Sequence, residues 1–132
     1  MSVFVTDTHP LVYYSTGEHR KLSAKALAAF EAARQGAAFV WVPAAVLWEF
    51  SILLKLERIR LREPFAVWSE RLAAQRGFGL AVLDLPVLHH LHDCPLKDPF
   101  DSAIAATAKA LDLPLITRDE RITSSGFVAI CW

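Results

Sequence analysis

The side chains of this sequence that could do chemistry are four carboxylates spread along the chain: Asp7, Glu49, Asp101 and Asp119. Asp7 and Asp119 each follow a short apolar run that predicts a strand. Asp101 lies in the first turn of a predicted helix, and Glu49 is the only charged residue between Arg34 and Lys55. Taken singly, each acid has a structural explanation, such as a helix cap or a solvent-facing position. Together they suggest a shared site.

A cluster of carboxylates repels itself unless cations neutralise it. Oxygen ligands without thiolates or paired histidines favour Mg²⁺ or Mn²⁺ over zinc. Such ions keep several waters and use phosphate oxygens of a substrate as further ligands. The chemistry that this pattern predicts is metal-assisted hydrolysis of a phosphodiester, provided that the fold brings the four acids together.

The elements that must position these acids alternate along the chain. Apolar runs predict five strands, at residues 3–6, 38–42, 80–83, 113–117 and 127–131. Helical patterns lie between them, at residues 9–15, 24–35, 43–56, 64–76, 86–92 and 99–110. This alternation predicts a three-layer α/β/α domain with a central parallel sheet. Sites in such sheets lie beyond the carboxyl ends of the strands, where we expect the four acids to meet.

The densest group of candidates lies in one stretch, KDPFDSAIAATAKALDLPLITRDERI, from Lys97 to Ile122. Asp98 is a suitable N-cap, Pro99 fits the first helical position, and Asp101 follows three residues after the cap. The helix then presents small residues, which favour close packing against a sheet. This stretch therefore predicts one acid in a first helical turn and another at the end of the next strand.

Composition sets the class of protein. The 132 residues predict one domain, 1–132, with a substantial core, and 54% of them are hydrophobic, which excludes disorder. The 14 basic and 14 acidic residues give a formal net charge of zero, so long-range attraction to nucleic acid is weak. Two cysteines are too few for a disulfide framework, and we see neither a signal peptide nor an apolar run that could cross a membrane. These features predict a cytoplasmic protein without a membrane partner.

Three segments resemble a known family: VTDTHPLVYY, VPAAVLWEFSILLKLERI and KDPFDSAIAATAKALDLPLITRDERI. In this order they resemble the PIN-domain ribonucleases, and in particular VapC-type toxins of bacterial toxin–antitoxin modules. The resemblance covers nearly the whole chain. It implies a sheet of strand order 3-2-1-4-5, an Mg²⁺- or Mn²⁺-dependent endoribonuclease, a homodimer, and a VapB-type antitoxin that blocks the site.

The resemblance also implies roles for particular residues. Asp7, Glu49, Asp101 and Asp119 match the four family acids in order. Thr8 and Thr117 match the hydroxyl positions beside the first and fourth acids, and Asp98 matches an accessory acid. Ser102 departs from the pattern, because relatives with the DPFD sequence often carry arginine there. This departure could remove a phosphate contact.

Basic residues for RNA are harder to assign. The segment Lys55 to Arg62, KLERIRLR, could hold RNA phosphates, contact an antitoxin, or be a solvated surface. We take Lys55, Arg58 and Arg118 as the candidate RNA-binding residues.

Two other functions remain open from the sequence. One is a PIN fold kept as a non-catalytic binding module. The other is a phosphatase with Asp7 as nucleophile, but Thr8 and His9 stand where such an enzyme wants a second acid.

Overall fold

The computed structural model describes all residues, 1–132, and has a parallel sheet at its centre. The strands are β1 (Ser2–Thr6), β2 (Ala38–Pro43), β3 (Phe78–Ala81), β4 (Leu115–Ile116) and β5 (Ile130–Cys131). Their order in the sheet is β3-β2-β1-β4-β5, and every neighbouring pair is parallel. The predicted fold class and strand order are thereby confirmed.

Seven α-helices connect and flank the strands: α1 (Thr8–Ser15), α2 (Ala24–Arg34), α3 (Ala44–Lys55), α4 (Phe65–Ala74), α5 (Leu85–Asp93), α6 (Pro99–Leu111) and α7 (Glu120–Ser125). The chain moves from β1 to β3 in one direction and from β4 to β5 in the other. Because crossovers between parallel strands are right-handed, α2 and α7 are expected on opposite faces of the sheet. Helices α3 and α6 contact each other. None of the helices combines the length and apolar character that crossing a membrane requires.

The core lies on both sides of β1. Val5, Val40 and Leu115, from three adjacent strands, are all fully buried. Phe30 from α2 and Phe50 from α3 cover this centre and are also completely buried. Strands that are buried on both faces have continuous apolar sequences, which explains why the apolar runs predicted β1 and β2 well.

Helix α6 is buried around most of its circumference. All residues from Ser102 to Ala108 are buried, although this span covers nearly two full turns. The helix packs against α5, α3 and β1. Small side chains allow this close approach on every side, so α6 is a central element that fixes where its first turn lies.

Three strand predictions were wrong in their boundaries. Strand β3 occupies Phe78–Ala81 rather than 80–83, because Gly77, at a φ of 82°, ends the preceding turn and the pairing with β2 begins there. Val82 and Leu83, assigned to the strand from their hydrophobicity, follow it and are exposed. β4 and β5 have two residues each, because only 115–116 and 130–131 form paired positions.

Candidate metal and nuclease site

Asp7 occupies the junction between the central strand and the first helix. Its side chain caps α1 by accepting a hydrogen bond of 2.7 Å from the backbone N–H of Thr8. The other carboxylate oxygen accepts a hydrogen bond of 2.7 Å from the hydroxyl of Thr117. Asp7 is only 6% exposed, so both oxygens are held in fixed positions.

Thr117 joins the ends of two adjacent strands. Its hydroxyl donates to Asp7 and accepts a hydrogen bond of 3.0 Å from the backbone N–H of Asp119. Asp119 in turn caps α7, accepting from the backbone N–H groups of Arg121 and Ile122 at 2.8 and 3.1 Å. Thr117 is fully buried, so this chain of hydrogen bonds fixes the first and fourth acids relative to each other.

Asp98 and Asp101 share the first turn of α6. One oxygen of Asp98 accepts hydrogen bonds of 3.0 Å from the backbone N–H groups of Phe100 and Asp101, as an N-cap does. The predicted capping role of Asp98 is thereby confirmed, and its side chain is exposed. Asp101 makes no side-chain hydrogen bond and is half-buried, so its carboxylate is available.

Glu49 comes from the second turn of α3, the helix that follows β2. It is half-buried and has no hydrogen bond or ion pair. The three ion pairs of the structure lie elsewhere and join Lys21 to Glu18, Arg34 to Glu31, and Arg71 to Glu63. Asp7 and Asp119 directly follow β1 and β4, and no cation is paired with the four acids. Glu49 lies on the helix after β2 and Asp101 begins the helix that leads into β4, so the topology directs both toward the same carboxyl edge of the sheet.

The pKa values show that these acids interact. Burial raises the pKa of Asp7 above 3.8, and Glu49 adds to this, while hydrogen bonds from Thr117 and Thr8 and the charge of His9 oppose it. The pKa of Asp101 is raised to about 7, first by desolvation and then by repulsion from Asp98, Asp7, Asp119 and Glu49. Negative charge from separate elements is thus concentrated at this edge.

The donor set fits a hard divalent cation in its chemistry. Carboxylate and hydroxyl oxygens suit Mg²⁺ or Mn²⁺, and the buried Oγ1 of Thr8, beside Asp7, has no hydrogen-bond partner. No three of the His, Cys, Asp and Glu side chains, as they stand, form a group that could hold a metal ion. Mg²⁺ is commonly bound through one or two carboxylates plus waters, so a cage of three direct protein ligands is not required.

A cavity of about 340 Å³ opens beside the first and fourth acids. Its lining residues are Asp7, His9, Pro10, Tyr13, Thr117, Arg118 and Asp119. Sequence reasoning missed Tyr13, because an aromatic residue in a short helix is usually a core residue. Its only signal was its position on the helix that Asp7 begins.

The structure does not bring Lys55 and Arg58 to the acids. Lys55 ends α3, six residues and about 9 Å along the helix from Glu49, toward the amino edge of the sheet. Arg58 follows in the exposed turn beyond it. Ser102 is buried, and its hydroxyl donates to the carbonyl oxygen of Leu96 at 2.7 Å. Of the three predicted RNA-binding residues, only Arg118 lies beside the acids.

A larger cavity, of about 640 Å³, lies at the opposite, amino edge of the sheet, where β3 begins. Its lining includes Arg34, Arg60, Arg62 and Arg71, together with apolar residues such as Trp68. It contains none of the four acids. We therefore assign the candidate site to the smaller cavity and the acids around it, since the chemistry lies there.

Comparison with known proteins agrees with this geometry. The family model of the PIN domain matches residues 4–127. No curated protein matches the sequence significantly.

Several solved structures share the fold. VapBC2 from Rickettsia felis, bound to a fragment of promoter DNA, superposes with a TM-score of 0.69 at 11% identity, covering 97% of this chain and 96% of that one. DNA-bound VapBC from Salmonella typhimurium gives a TM-score of 0.69 at 15% identity, with 98% and 97% covered. A toxin–antitoxin complex from Klebsiella pneumoniae gives a TM-score of 0.59 at 19% sequence identity, covering 94% of this chain and 91% of that one. The sequence match and the shared fold together show that this chain belongs to the PIN domain family.

Proposed function

We propose that this PIN domain is a metal-dependent endoribonuclease and the toxin of a VapC-type toxin–antitoxin module. The observation that carries the proposal is the concentration of unpaired carboxylates at the carboxyl edge of the sheet, where burial and then repulsion among the acids raise the pKa of Asp101 to about 7. Folding gains nothing from such repulsion. A bound cation would relieve it, and the proposed use of the cluster is to bind one.

Each acid has a proposed role. Asp7, Glu49, Asp101 and Asp119 hold Mg²⁺ or Mn²⁺, with Asp7 fixed by Thr8 and Thr117. The chemistry that the bound ion supplies is a lower pKa for the attacking water and neutralisation of charge on the leaving oxygen.

Residues of this chain orient the water, accept its proton and hold the acids in position. Asp101, which is half-buried, orients the water and accepts its proton. Thr117 keeps Asp7 and Asp119 in register, and Asp98 caps the helix that carries Asp101. The products are a 5′-phosphate and a 3′-hydroxyl end.

The partners are proposals of the same kind. RNA is the proposed substrate, with Arg118 beside the acids and Lys55 and Arg58 as more distant contacts. A VapB-type antitoxin is the proposed inhibitor, which the toxin–antitoxin complex among the structural neighbours supports. We also propose that residues 1–132 act as one domain in the cytoplasm.

A homodimer is supported by exposed apolar side chains. Val82, Leu83, Leu85 and Leu88, on and before α5, are between 44% and 62% exposed. Val82 also lines a largely apolar cavity of about 390 Å³, together with Trp41 and Leu111. An apolar surface of this kind is typical of an interface. Sedimentation of the purified protein tests this directly.

The deciding experiment is cleavage of a small RNA panel by the purified protein in Mg²⁺, Mn²⁺ or excess EDTA. Asp7→Asn and Asp101→Asn test the cluster. Asp112→Asn is the matched control, because Asp112 caps the far end of α6. We expect metal-dependent cleavage with 5′-phosphate ends, lost in the first two variants and kept in the control.

Other results would point elsewhere. Cleavage that survives EDTA and leaves cyclic phosphates would contradict the carboxylate mechanism. RNA binding without cleavage under any metal would favour the non-catalytic module. Hydrolysis of a phosphomonoester, lost in Asp7→Asn, would favour the phosphatase.

A further inference from the structure

Arg118 is held in a defined position at the edge of the acid cluster. One terminal nitrogen of its guanidinium donates a hydrogen bond of 2.9 Å to the hydroxyl oxygen of Tyr13. The guanidinium carbon lies 5.3 Å from the centre of the Tyr13 ring. Arg118 is exposed and forms no ion pair with any carboxylate, although Asp119 is its neighbour in sequence. Its charge is therefore not neutralised by an ion pair within the protein.

Tyr13 is the fixed partner in this contact. It lies in α1, and only 9% of its surface is exposed. The amino group of Lys21 lies 5.2 Å from the centre of the same ring, so two cations lie close to this ring. Contacts of this kind favour a cation over the ring and limit the positions that a long side chain adopts. The buried ring thus holds an exposed guanidinium.

The position of this pair matters because a nucleic acid strand must approach negative charge. Tyr13 and Arg118 line the same 340 Å³ cavity as Asp7, Thr117 and Asp119. Phosphates of the strand on either side of the cut are repelled by the carboxylates unless a cation faces them. A guanidinium provides parallel donors for phosphate oxygens, which makes arginine well suited to this contact.

We propose that Arg118 binds a phosphate of the RNA strand adjacent to the one that is cut, and that Tyr13 is a positioning residue that holds the guanidinium there. This inference rests on the proposed ribonuclease function and names the contact that draws the strand to the acids. Arg118 supplies the charge. Tyr13 acts only through Arg118 and does not touch the substrate.

A purely structural role for the pair makes a different prediction. If Arg118 only fastens the end of β4 to α1, its loss lowers the melting temperature and leaves the salt dependence of RNA binding unchanged. A phosphate contact changes that dependence, because each neutralised phosphate releases counterions. The slope of log K against log [NaCl] therefore separates the two roles.

The experiment measures binding of a fluorescently labelled single-stranded oligoribonucleotide by anisotropy, between 20 and 200 mM NaCl in excess EDTA. We expect Arg118→Ala to weaken binding about tenfold and to reduce the slope by about 0.7, the value for one phosphate contact on a single strand. Arg118→Lys keeps the slope, because the charge remains. Tyr13→Phe keeps the ring and the slope but weakens binding about threefold, since the hydroxyl acceptor is lost.

Arg121→Ala is the matched control. It removes the same charge three residues away, and Arg121 does not line the cavity. We expect its slope to change by clearly less than that of Arg118→Ala. Equal changes in the two variants would overturn the proposal, because they would show general electrostatic attraction rather than a phosphate site. An unchanged slope in Arg118→Ala, or no binding by the unaltered protein, would overturn it as well.

Because binding is measured in EDTA, the inference and the proposed function fail separately. Parallel cleavage assays in Mg²⁺ report the function. Binding that depends on Arg118 without any cleavage would support the phosphate site and refute the nuclease. Normal cleavage together with RNA binding that does not depend on Arg118 would support the nuclease and refute the phosphate site.

Discussion

Replacing Asp101 with asparagine should make the metal-free protein more stable at pH 8 and should stabilise it less than half as much at pH 5. Asparagine has the same shape and carries no charge, so it removes the cost of burying a carboxylate and the repulsion from the neighbouring acids. The pKa of Asp101 is raised from 3.8 to about 7 in the folded protein. Between these values the folded state binds a proton that the unfolded state has released. The free energy of unfolding therefore falls as the pH rises through this window.

The size of the effect follows from the same two values. The difference between 3.8 and about 7 corresponds to about 4 kcal/mol. Asp101 is only half-buried, so solvent screens much of this repulsion, and we expect a gain of about 1–2 kcal/mol at pH 8. For a chain of this length that gain raises the melting temperature by about 4–8 °C. At pH 5 the unfolded state has already released most of this proton while the folded state keeps it, so a little over a third of the gain, about 0.4–0.8 kcal/mol, should remain.

Urea denaturation in excess EDTA at pH 5 and pH 8 measures the effect, with Asp112→Asn as the control. Asp112 adopts the left-handed conformation at the end of α6, which asparagine tolerates well, and it lies far from the cluster. We expect its substitution to have the same effect at both pH values. Equal stabilisation of Asp101→Asn at pH 5 and pH 8, or destabilisation at pH 8, would refute the electrostatic reasoning.

Further substitutions test how the site and the fold are held. Thr117→Val should lower the free energy of unfolding by about 1–3 kcal/mol and RNA cleavage at least tenfold, because it removes the buried hydroxyl that joins the ends of β1 and β4. Recovery of both in Thr117→Ser would show that the hydroxyl matters rather than packing. Gly77→Ala should lower the free energy of unfolding, measured by urea denaturation, by more than about 2 kcal/mol, because the φ of Gly77 is 82° and the added methyl meets the backbone carbonyl of Ala33. Gly17→Ala, with a φ of 78° and open space around it, should cost only about 1 kcal/mol, and a similar loss in both variants would argue against the steric clash. Ser23→Ala removes the N-cap of α2 and should cost about 1 kcal/mol, with RNA cleavage unchanged.

Local signals in the sequence were sufficient for the scaffold and for the location of the acids. The cap at Asp98 depends on residues within one turn, and it forms as predicted. Apolar runs located all five strands, although β3 begins two residues earlier than its hydrophobicity indicates. Pairing with β2 decides that boundary, and hydrophobicity alone does not report pairing. The acids at strand ends followed from the same local reading.

Only the tertiary structure decided how the acids are held and charged. The hydrogen bond between Thr117 and Asp7 joins residues 110 positions apart, and the one between Arg118 and Tyr13 spans 105. The raised pKa of Asp101 likewise depends on acids from several separate elements. The sequence determined which side chains were available, because caps, periodicity and strand ends are local. Distances between elements arise from packing of the whole sheet, and they alone set the hydrogen bonds, the burial and the repulsion at the site.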